Sequence, residues 1–193
     1  MTAPKILALA GSTRTDSFNK RLVRIAAEGA RQAGAEVTLL DLRDLPLPLF
    51  DQDLEAQGQP ENARKLQDLM AAHQGLLIAS PEYNSSISAV LKNAIDWASR
   101  ATPDRPALAA FAGKAAALMS ASPGALGGLR GLVHLRSILG NIQVLVLPDQ
   151  VAVPRAHEMF QPDGSLKDAK QQESVAALGR KLAELLRRLA APV

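Results

Sequence analysis

The 193-residue sequence contains no cysteine, and its only aromatic residues are four phenylalanines, one tyrosine and one tryptophan. Without cysteine the chain cannot form a disulfide scaffold, a thiolate zinc site, an iron–sulfur cluster or a dithiol redox pair. Any electron transfer must therefore depend on a bound cofactor. The three histidines lie in separate segments without H-E-x-x-H spacing, so we expect no metal site.

Long apolar runs and a strong charge of one sign are also missing. No segment approaches the roughly 20 apolar residues of a membrane-spanning helix. The apolar run at residues 6–11 is too short for a signal-peptide core, so we expect a cytoplasmic protein with no membrane partner. The net charge of +3, from 22 basic and 19 acidic residues, argues against nucleic-acid binding.

Five short and nearly continuous apolar runs alternate with segments of helical periodicity. The predicted strands cover residues 5–10, 35–40, 75–80, 114–119 and 142–147, and the predicted helices cover 18–33, 60–73, 87–98, 129–139 and 166–189. Continuous apolar runs are typical of strands that are covered on both faces of a parallel sheet. The pattern therefore predicts one α/β domain, residues 1–193, interrupted by irregular proline-rich stretches at 45–58 and 148–164.

The segment that follows the first predicted strand, Gly11-Ser12-Thr13-Arg14-Thr15-Asp16-Ser17, favours phosphate binding. Ligands of open α/β sheets bind beyond the carboxyl ends of the strands. Hydroxyl groups and an arginine before a helix N-terminus suit a terminal monophosphate, because backbone N–H groups and the helix dipole attract anions. The segment is neither a Walker A loop nor a dinucleotide fingerprint. The alternative is an ordinary capping loop, with Asp16 or Ser17 as N-cap and Arg14 in solvent.

Two further loops follow the third and fourth predicted strands. Residues 81–86, Pro-Glu-Tyr-Asn-Ser-Ser, combine a stiff turn with an aromatic face and suit the edge of a flat heterocycle. The alternative is a tight turn with Tyr83 on the surface. Residues 120–128 contain three glycines and two serines, which indicates either a flexible edge that closes over a ligand or a plain turn.

Together, the segments G-S-x-R-x-x-S-F-N, P-E-Y-N and L-K-N-A-I-D-W-A-S-R resemble the NADPH-dependent FMN reductases of flavodoxin-like fold. The bacterial chromate/quinone reductase branch is the most similar. The segment L-P-L-F-D-Q-D also matches, with Phe50 where the family usually has tyrosine. The resemblance implies a flavodoxin-like three-layer sandwich with helices on both faces of a five-stranded parallel sheet of order 2-1-3-4-5. FMN would lie between strands 1 and 3.

The resemblance implies FMN-binding residues in all three loops. Those for the phosphate and ribityl end are Ser12, Arg14, Ser17, Phe18 and Asn19. Those along the isoalloxazine edge are Pro81, Glu82, Tyr83, Asn84 and Ser85, with Ser120 and Gly124 near the opposite side. No side chain is assigned as an acid or base, because the flavin carries the chemistry. Thr13 departs from the family, in which leucine is common at this position.

The implied function is an FMN-dependent NAD(P)H oxidoreductase that reduces quinones or similar acceptors by ping-pong hydride transfer. NADPH or NADH is the donor, and chromate and azo compounds are further candidate acceptors. One alternative is a flavin reductase that releases reduced FMN to a partner. Another is a non-catalytic electron carrier of the flavodoxin type, which is expected to be acidic, whereas this chain has a charge of +3.

The family also implies a homodimer or homotetramer that packs through the helix bearing residues 91–97. We therefore expect a charged residue at Ile95 or Trp97 to change the mass of the oligomer.

We expect Arg14→Ala to weaken FMN binding by about 1.5–3 kcal/mol, the range of a charge-assisted hydrogen bond. Titration of FMN fluorescence against the protein measures the Kd. An unchanged Kd would place the phosphate elsewhere.

Overall fold

The computed structural model describes residues 2–191, in which seven strands and seven helices follow one another along the chain. The strands are β1 (Lys5–Ala10), β2 (Glu36–Leu40), β3 (Gly75–Ala79), β4 (Glu82–Tyr83), β5 (Ser86–Ile87), β6 (Ala115–Ala121) and β7 (Leu145–Val153). The helices are α1 (Phe18–Gln32), α2 (Gln52–Ala56), α3 (Glu61–Ala71), α4 (Ala89–Ala98), α5 (Leu129–Asn141), α6 (Ala156–Met159) and α7 (Ala169–Ala190).

The main sheet is parallel and has the order β2-β1-β3-β6-β7. This confirms the predicted order 2-1-3-4-5, because β4 and β5 form a separate hairpin between the third and fourth strands of the sheet. Helices α1 and α7 cover one face, while α3, α4 and α5 cover the other. The chain reverses direction across the sheet between β1 and β3, so the connections that leave these neighbouring strands diverge and open a crevice.

The continuous apolar strands are explained by burial on both faces. Every residue of β3 and β6 is buried, as is every residue of β1 after Lys5. Successive side chains point to opposite faces, so that Ile6 packs towards α1 and α7 while Leu7 packs towards α3, α4 and α5.

The prediction of an irregular segment at 148–164 is wrong in its first part, because β7 continues through Pro148 to Val153. Val146 pairs with Ala116 and Gln150 with Leu118, so the strand bulges between these two pairs. Proline is tolerated here because β7 is an edge strand and the bulge needs no ladder hydrogen bond from it. Two short helices, α2 and α6, also lie inside the two stretches predicted to be irregular.

Helix α4 buries the two residues that were expected at an oligomer interface. Trp97 is 0% exposed and Ile95 is 6% exposed within a single chain. The indole Nε1 of Trp97 donates to the Pro48 carbonyl at 2.8 Å, and the Phe50 ring packs edge-on against it. The choice of Ile95 and Trp97 as reporters of assembly is therefore wrong, because a charge at either position would disrupt the core first.

Helices α1 and α7 approach each other closely because glycines lie at their contact. A Cβ on Gly179 would lie 1.8 Å from the Ala26 carbonyl oxygen, and one on Gly29 would lie 2.1 Å from the Ala176 carbonyl oxygen. This contact fixes α1, the helix that follows the loop after β1, against α7.

We expect Gly179→Ala to lower the free energy of unfolding by about 2–3 kcal/mol, because the added methyl group forces the two helices apart. Gly140→Ala in α5 is the matched control, since nothing lies within 4 Å of its added Cβ. That control is expected to be neutral or to stabilise by up to about 1 kcal/mol. Urea unfolding of both variants measures the difference, and equal stabilities would contradict the close helix contact.

Candidate functional site

A cleft of about 170 Å³ lies where β1 and β3 diverge, between the loops that follow β1, β3 and β6. Its lining residues are Ser12, Arg14, Ser17, Phe18, Asn19, Pro81, Glu82, Tyr83, Ala121, Ser122 and Pro123. The first eight of these are candidate site residues of the sequence analysis, and they come from loops about 70 residues apart. The structure therefore brings residues of all three predicted loops to one place.

The loop between β1 and α1 presents backbone donors. Within residues 2–191, the N–H groups of Thr13, Thr15 and Asp16 have no hydrogen-bond acceptor. Ser17 is the N-cap of α1, and its Oγ accepts from the Lys20 N–H at 3.4 Å. Unpaired donors at the positive end of a helix fit an anion with several oxygens, as a phosphate monoester has.

Asn19 joins the two walls of the cleft. Its Nδ2 donates to the Ala121 carbonyl at 2.9 Å, and its Oδ1 accepts from the Ala121 N–H at 2.9 Å. Both atoms are buried, and each makes one hydrogen bond to the backbone at the end of β6. Asn19 therefore joins the first turn of α1 to the end of β6.

The loop after β3 is a hairpin with a tight turn. Asn84 (φ 49°) and Ser85 (φ 65°) are the two turn residues between β4 and β5, and both have positive φ. Two positive φ angles in a two-residue connection characterise a type I′ turn, which asparagine tolerates well. The turn leaves Tyr83 56% exposed at the mouth of the cleft.

Glu82 fastens this hairpin to the N-terminus of α5. One carboxylate oxygen accepts from the Gly131 N–H at 3.1 Å, and the other accepts from the Arg130 guanidinium at 2.8 Å. Burial acts to raise the pKa of the Glu82 carboxyl, but these hydrogen bonds outweigh it, so the pKa lies below its usual value. The carboxylate is an external cap of α5 and is ionised at neutral pH.

Four of the sequence-derived candidates lie outside the cleft lining. Asn84 and Ser85 form the tip of the turn, and Gly124 is exposed beyond Ser122. Ser120 is 0% exposed, and its Oγ donates to the Ser80 carbonyl at 2.6 Å.

The predicted loop at residues 120–128 reaches the cleft through Ala121, Ser122 and Pro123 rather than through the expected Ser120 and Gly124, because the fourth strand of the sheet was predicted to end at Met119. Pairing with β7 extends β6 to Ala121, so the loop begins two residues later than predicted. The Ser122-Pro123-Gly124 turn is the signal in the sequence that could have placed this end.

Neither a membrane span nor a metal cluster is found in residues 2–191. No helix there is both long and apolar enough to span a bilayer. No three His, Asp or Glu side chains of this part of the chain lie together in a way that could hold a metal ion.

Comparison with known proteins gives matches along most of the chain. The family described as NADPH-dependent FMN reductase matches residues 4–158. An NAD(P)H-dependent FMN reductase of Pseudomonas aeruginosa is 37% identical over 186 residues, which cover 96% of each chain. A quinone reductase of Escherichia coli K12 is 37% identical over 145 residues, covering 74% of this chain and 73% of the relative.

Among solved structures, the chain is similar to FerB of Paracoccus denitrificans, described as a flavoenzyme NAD(P)H:(acceptor) oxidoreductase. The TM-score is 0.80 and the identity 28%, with 96% of this chain and 98% of that chain covered.

We expect Glu82→Gln to lower the free energy of unfolding by about 1 kcal/mol at pH 7, because α5 loses a charged cap. A carboxyl whose pKa is lowered by folding stabilises the protein above its unfolded pKa, near 4.5, and this contribution is lost as the pH falls through the folded pKa. The two proteins should therefore converge in acid. Urea unfolding at several pH values measures this.

The control is Glu36→Gln, at an exposed position of β2 with no ion pair in the described part of the chain. It should match the wild type at every pH. A pH-independent difference for Glu82→Gln would contradict the charged cap.

Proposed function

Because the chain belongs to the NADPH-dependent FMN reductase family, we propose that the cleft between β1 and β3 binds FMN and that quinones are the acceptors. The family, enzyme class and cofactors predicted from the sequence are confirmed: this is an FMN-dependent oxidoreductase that uses NAD(P)H. The site assignment depends on one observation, the backbone N–H groups of Thr13, Thr15 and Asp16, which have no acceptor in the described part of the chain.

These donors fit the phosphate of FMN in number and charge. Ser12 and Ser17 add hydroxyl groups at the cleft surface, and the exposed Arg14 adds a positive charge. Charge-assisted hydrogen bonds of this kind are about twice as strong as neutral ones. Phe18, which stacks on Phe160 at a centroid distance of 5.6 Å, would form a rigid apolar wall for the ribityl chain.

The opposite part of the cleft suits the isoalloxazine edge. Pro81, Glu82 and Tyr83 present the hairpin backbone to it, and Ala121 to Pro123 form the facing wall. When bound, FMN supplies the redox chemistry by taking hydride from the nicotinamide and passing electrons to the acceptor. The hairpin is held against α5 through Glu82, so the groups that orient the ring do not need to reorganise.

The open mouth supports transfer to one flat molecule at a time. The cleft, at about 170 Å³, is smaller than the roughly 300–1,000 Å³ of typical ligand clefts and cavities. Much of a flat ring would therefore stay accessible beside the exposed Tyr83. A nicotinamide and a quinone would use the same face in turn, which requires the donor to leave before the acceptor binds. The E. coli relative named quinone reductase supports this acceptor class.

We also propose self-association as a homodimer or homotetramer, a cytoplasmic location and a single FMN-binding domain over residues 1–193. The oligomer follows from the family resemblance and the other two statements from the sequence pattern, and all three stay predictions.

We expect the purified protein to be yellow and to oxidise NADPH or NADH when a quinone is added. Initial rates at several fixed quinone concentrations should give parallel double-reciprocal lines, because donor and acceptor share one face. The same measurements with chromate and an azo dye define the acceptor range. Arg14→Ala, with excess FMN removed, is the matched variant and should lose both colour and rate together.

Dialysis followed by absorbance separates the two enzyme alternatives. Flavin that stays with the protein supports a resident cofactor, while flavin that is lost supports a reductase that releases reduced FMN. A protein that keeps FMN but turns over no acceptor would favour the electron carrier. A colourless protein without affinity for FMN would overturn the proposed site.

A further inference from the structure

Arg43 lies after β2 and outside the cleft. It contacts the loop between β1 and α1 on the side that faces away from the cleft. Its Nε donates to the Thr13 carbonyl at 2.8 Å, and its Nη2 donates to the same oxygen. Its Nη1 donates to Thr15 Oγ1 at 2.9 Å. One guanidinium group therefore bonds two residues of the loop, in the forked geometry that only arginine offers.

The loop separates Arg43 from the cleft. Thr13 and Arg43 line a second cavity, of about 270 Å³, between the segment after β2 and α4. Ser12 and Arg14, the neighbours of Thr13 in the chain, line the cleft. The Arg43 contacts are thus made on the opposite side of the loop from the candidate phosphate site.

This contact sets the direction of a peptide group. The carbonyl and the following N–H of a planar trans peptide point in opposite directions. With the Thr13 carbonyl held by Arg43, the Arg14 N–H is directed the other way, and it donates to Ser12 Oγ at 3.3 Å. If this peptide rotated, a carbonyl oxygen would face the anion instead of an N–H group, and the electrostatic contribution would change from attraction to repulsion.

Hydrogen bonds to Asp41 position the segment that carries Arg43. Asp41 Oδ1 accepts from the Arg43 N–H at 3.0 Å, and Asp41 Oδ2 accepts from Lys20 Nζ at 2.6 Å. Lys20 belongs to the first turn of α1, and its side chain is only 12% exposed. The segment after β2 is therefore joined to α1 through Asp41 and to the loop before α1 through Arg43.

We propose that Arg43 is a positioning residue for FMN, which holds the Thr13–Arg14 peptide with its N–H side towards the flavin phosphate. The proposal rests on the proposed function, because it requires the phosphate to lie in the cleft. It extends that function by assigning a role to a residue of the β2 loop that does not line the cleft. The role predicts selective loss of affinity for a flavin that carries a phosphate.

The test compares FMN with riboflavin, which has the same ring and ribityl chain without the phosphate. Fluorescence titration of flavin-free protein gives both Kd values. For Arg43→Ala we expect an FMN Kd about tenfold higher, the lower limit for a hydrogen bond to a charged group. The riboflavin Kd should change less than twofold, since the ring wall of the cleft is untouched.

Arg43→Lys distinguishes the proposed positioning role, which needs the forked guanidinium group, from a role that needs only a positive charge. A single ammonium group cannot bond the Thr13 carbonyl and the Thr15 hydroxyl as the guanidinium does, so this variant should lose as much FMN affinity as Arg43→Ala. Thr15→Val removes only the Nη1 contact and should show a smaller, phosphate-selective loss. Arg31→Ala is the matched control, since Arg31 Nη2 also donates to a backbone carbonyl, that of Val37, at 3.1 Å. It should leave both Kd values unchanged.

Three outcomes would overturn the proposed positioning role of Arg43: an unchanged FMN Kd in Arg43→Ala, an equal loss of affinity for both flavins, or full FMN affinity in Arg43→Lys. Circular dichroism and the thermal midpoint establish that each variant is folded. Wild-type protein that binds riboflavin as tightly as FMN would instead overturn the phosphate site, and with it the proposed function. The two failures are therefore distinct.

Discussion

The reversal of strand order between β1 and β3 is the constraint on which the site depends. Helix α1, which follows β1, packs on one face of the sheet, whereas α3 and α4 pack on the other. No connection therefore covers the carboxyl ends of the neighbouring strands β1 and β3. The crevice is a consequence of this topology and needs no special residues to open it. What the sequence supplies is chemistry at its rim: the N–H donors of Thr13, Thr15 and Asp16 on one side and the hairpin β4–β5 on the other.

The rim is held by side chains that bond to backbone groups of another loop. Asn19 bonds to the backbone of Ala121, Glu82 to the N–H of Gly131, and Arg43 to the carbonyl of Thr13. Each bond crosses between segments that are distant in sequence. Loops positioned in this way by a rigid scaffold can present donors without rearrangement, which is what binding a charged cofactor requires. None of these three groups needs to touch the ligand to affect its affinity.

Much of this architecture was predictable because it depends on local patterns. The strands buried on both faces appear as continuous apolar runs, and α1 begins at Phe18 after the Ser17 cap and is followed by Gly34 at φ 82°. The ends of strands β6 and β7, at one edge of the sheet, were less predictable. Strand β7 passes through Pro148, and β6 gains Ala121 only because it pairs with Val153, so neither end can be recognised from its own segment.

The sequence by itself determined the α/β fold class and the loops that meet in the cleft, because burial period and turn chemistry are local properties, and the order of the strands followed from the family resemblance. Tertiary structure decided which polar side chains remain free for a ligand. Ser120, Asn19 and Glu82 are polar residues in the right motifs, yet their hydrogen bonds go to Ser80, Ala121 and Gly131. Arg43 could not be found from its own segment at all. Its partners lie 28 and 30 residues away, and hydrogen-bond pairing across such distances exists only once the sheet brings two loops together.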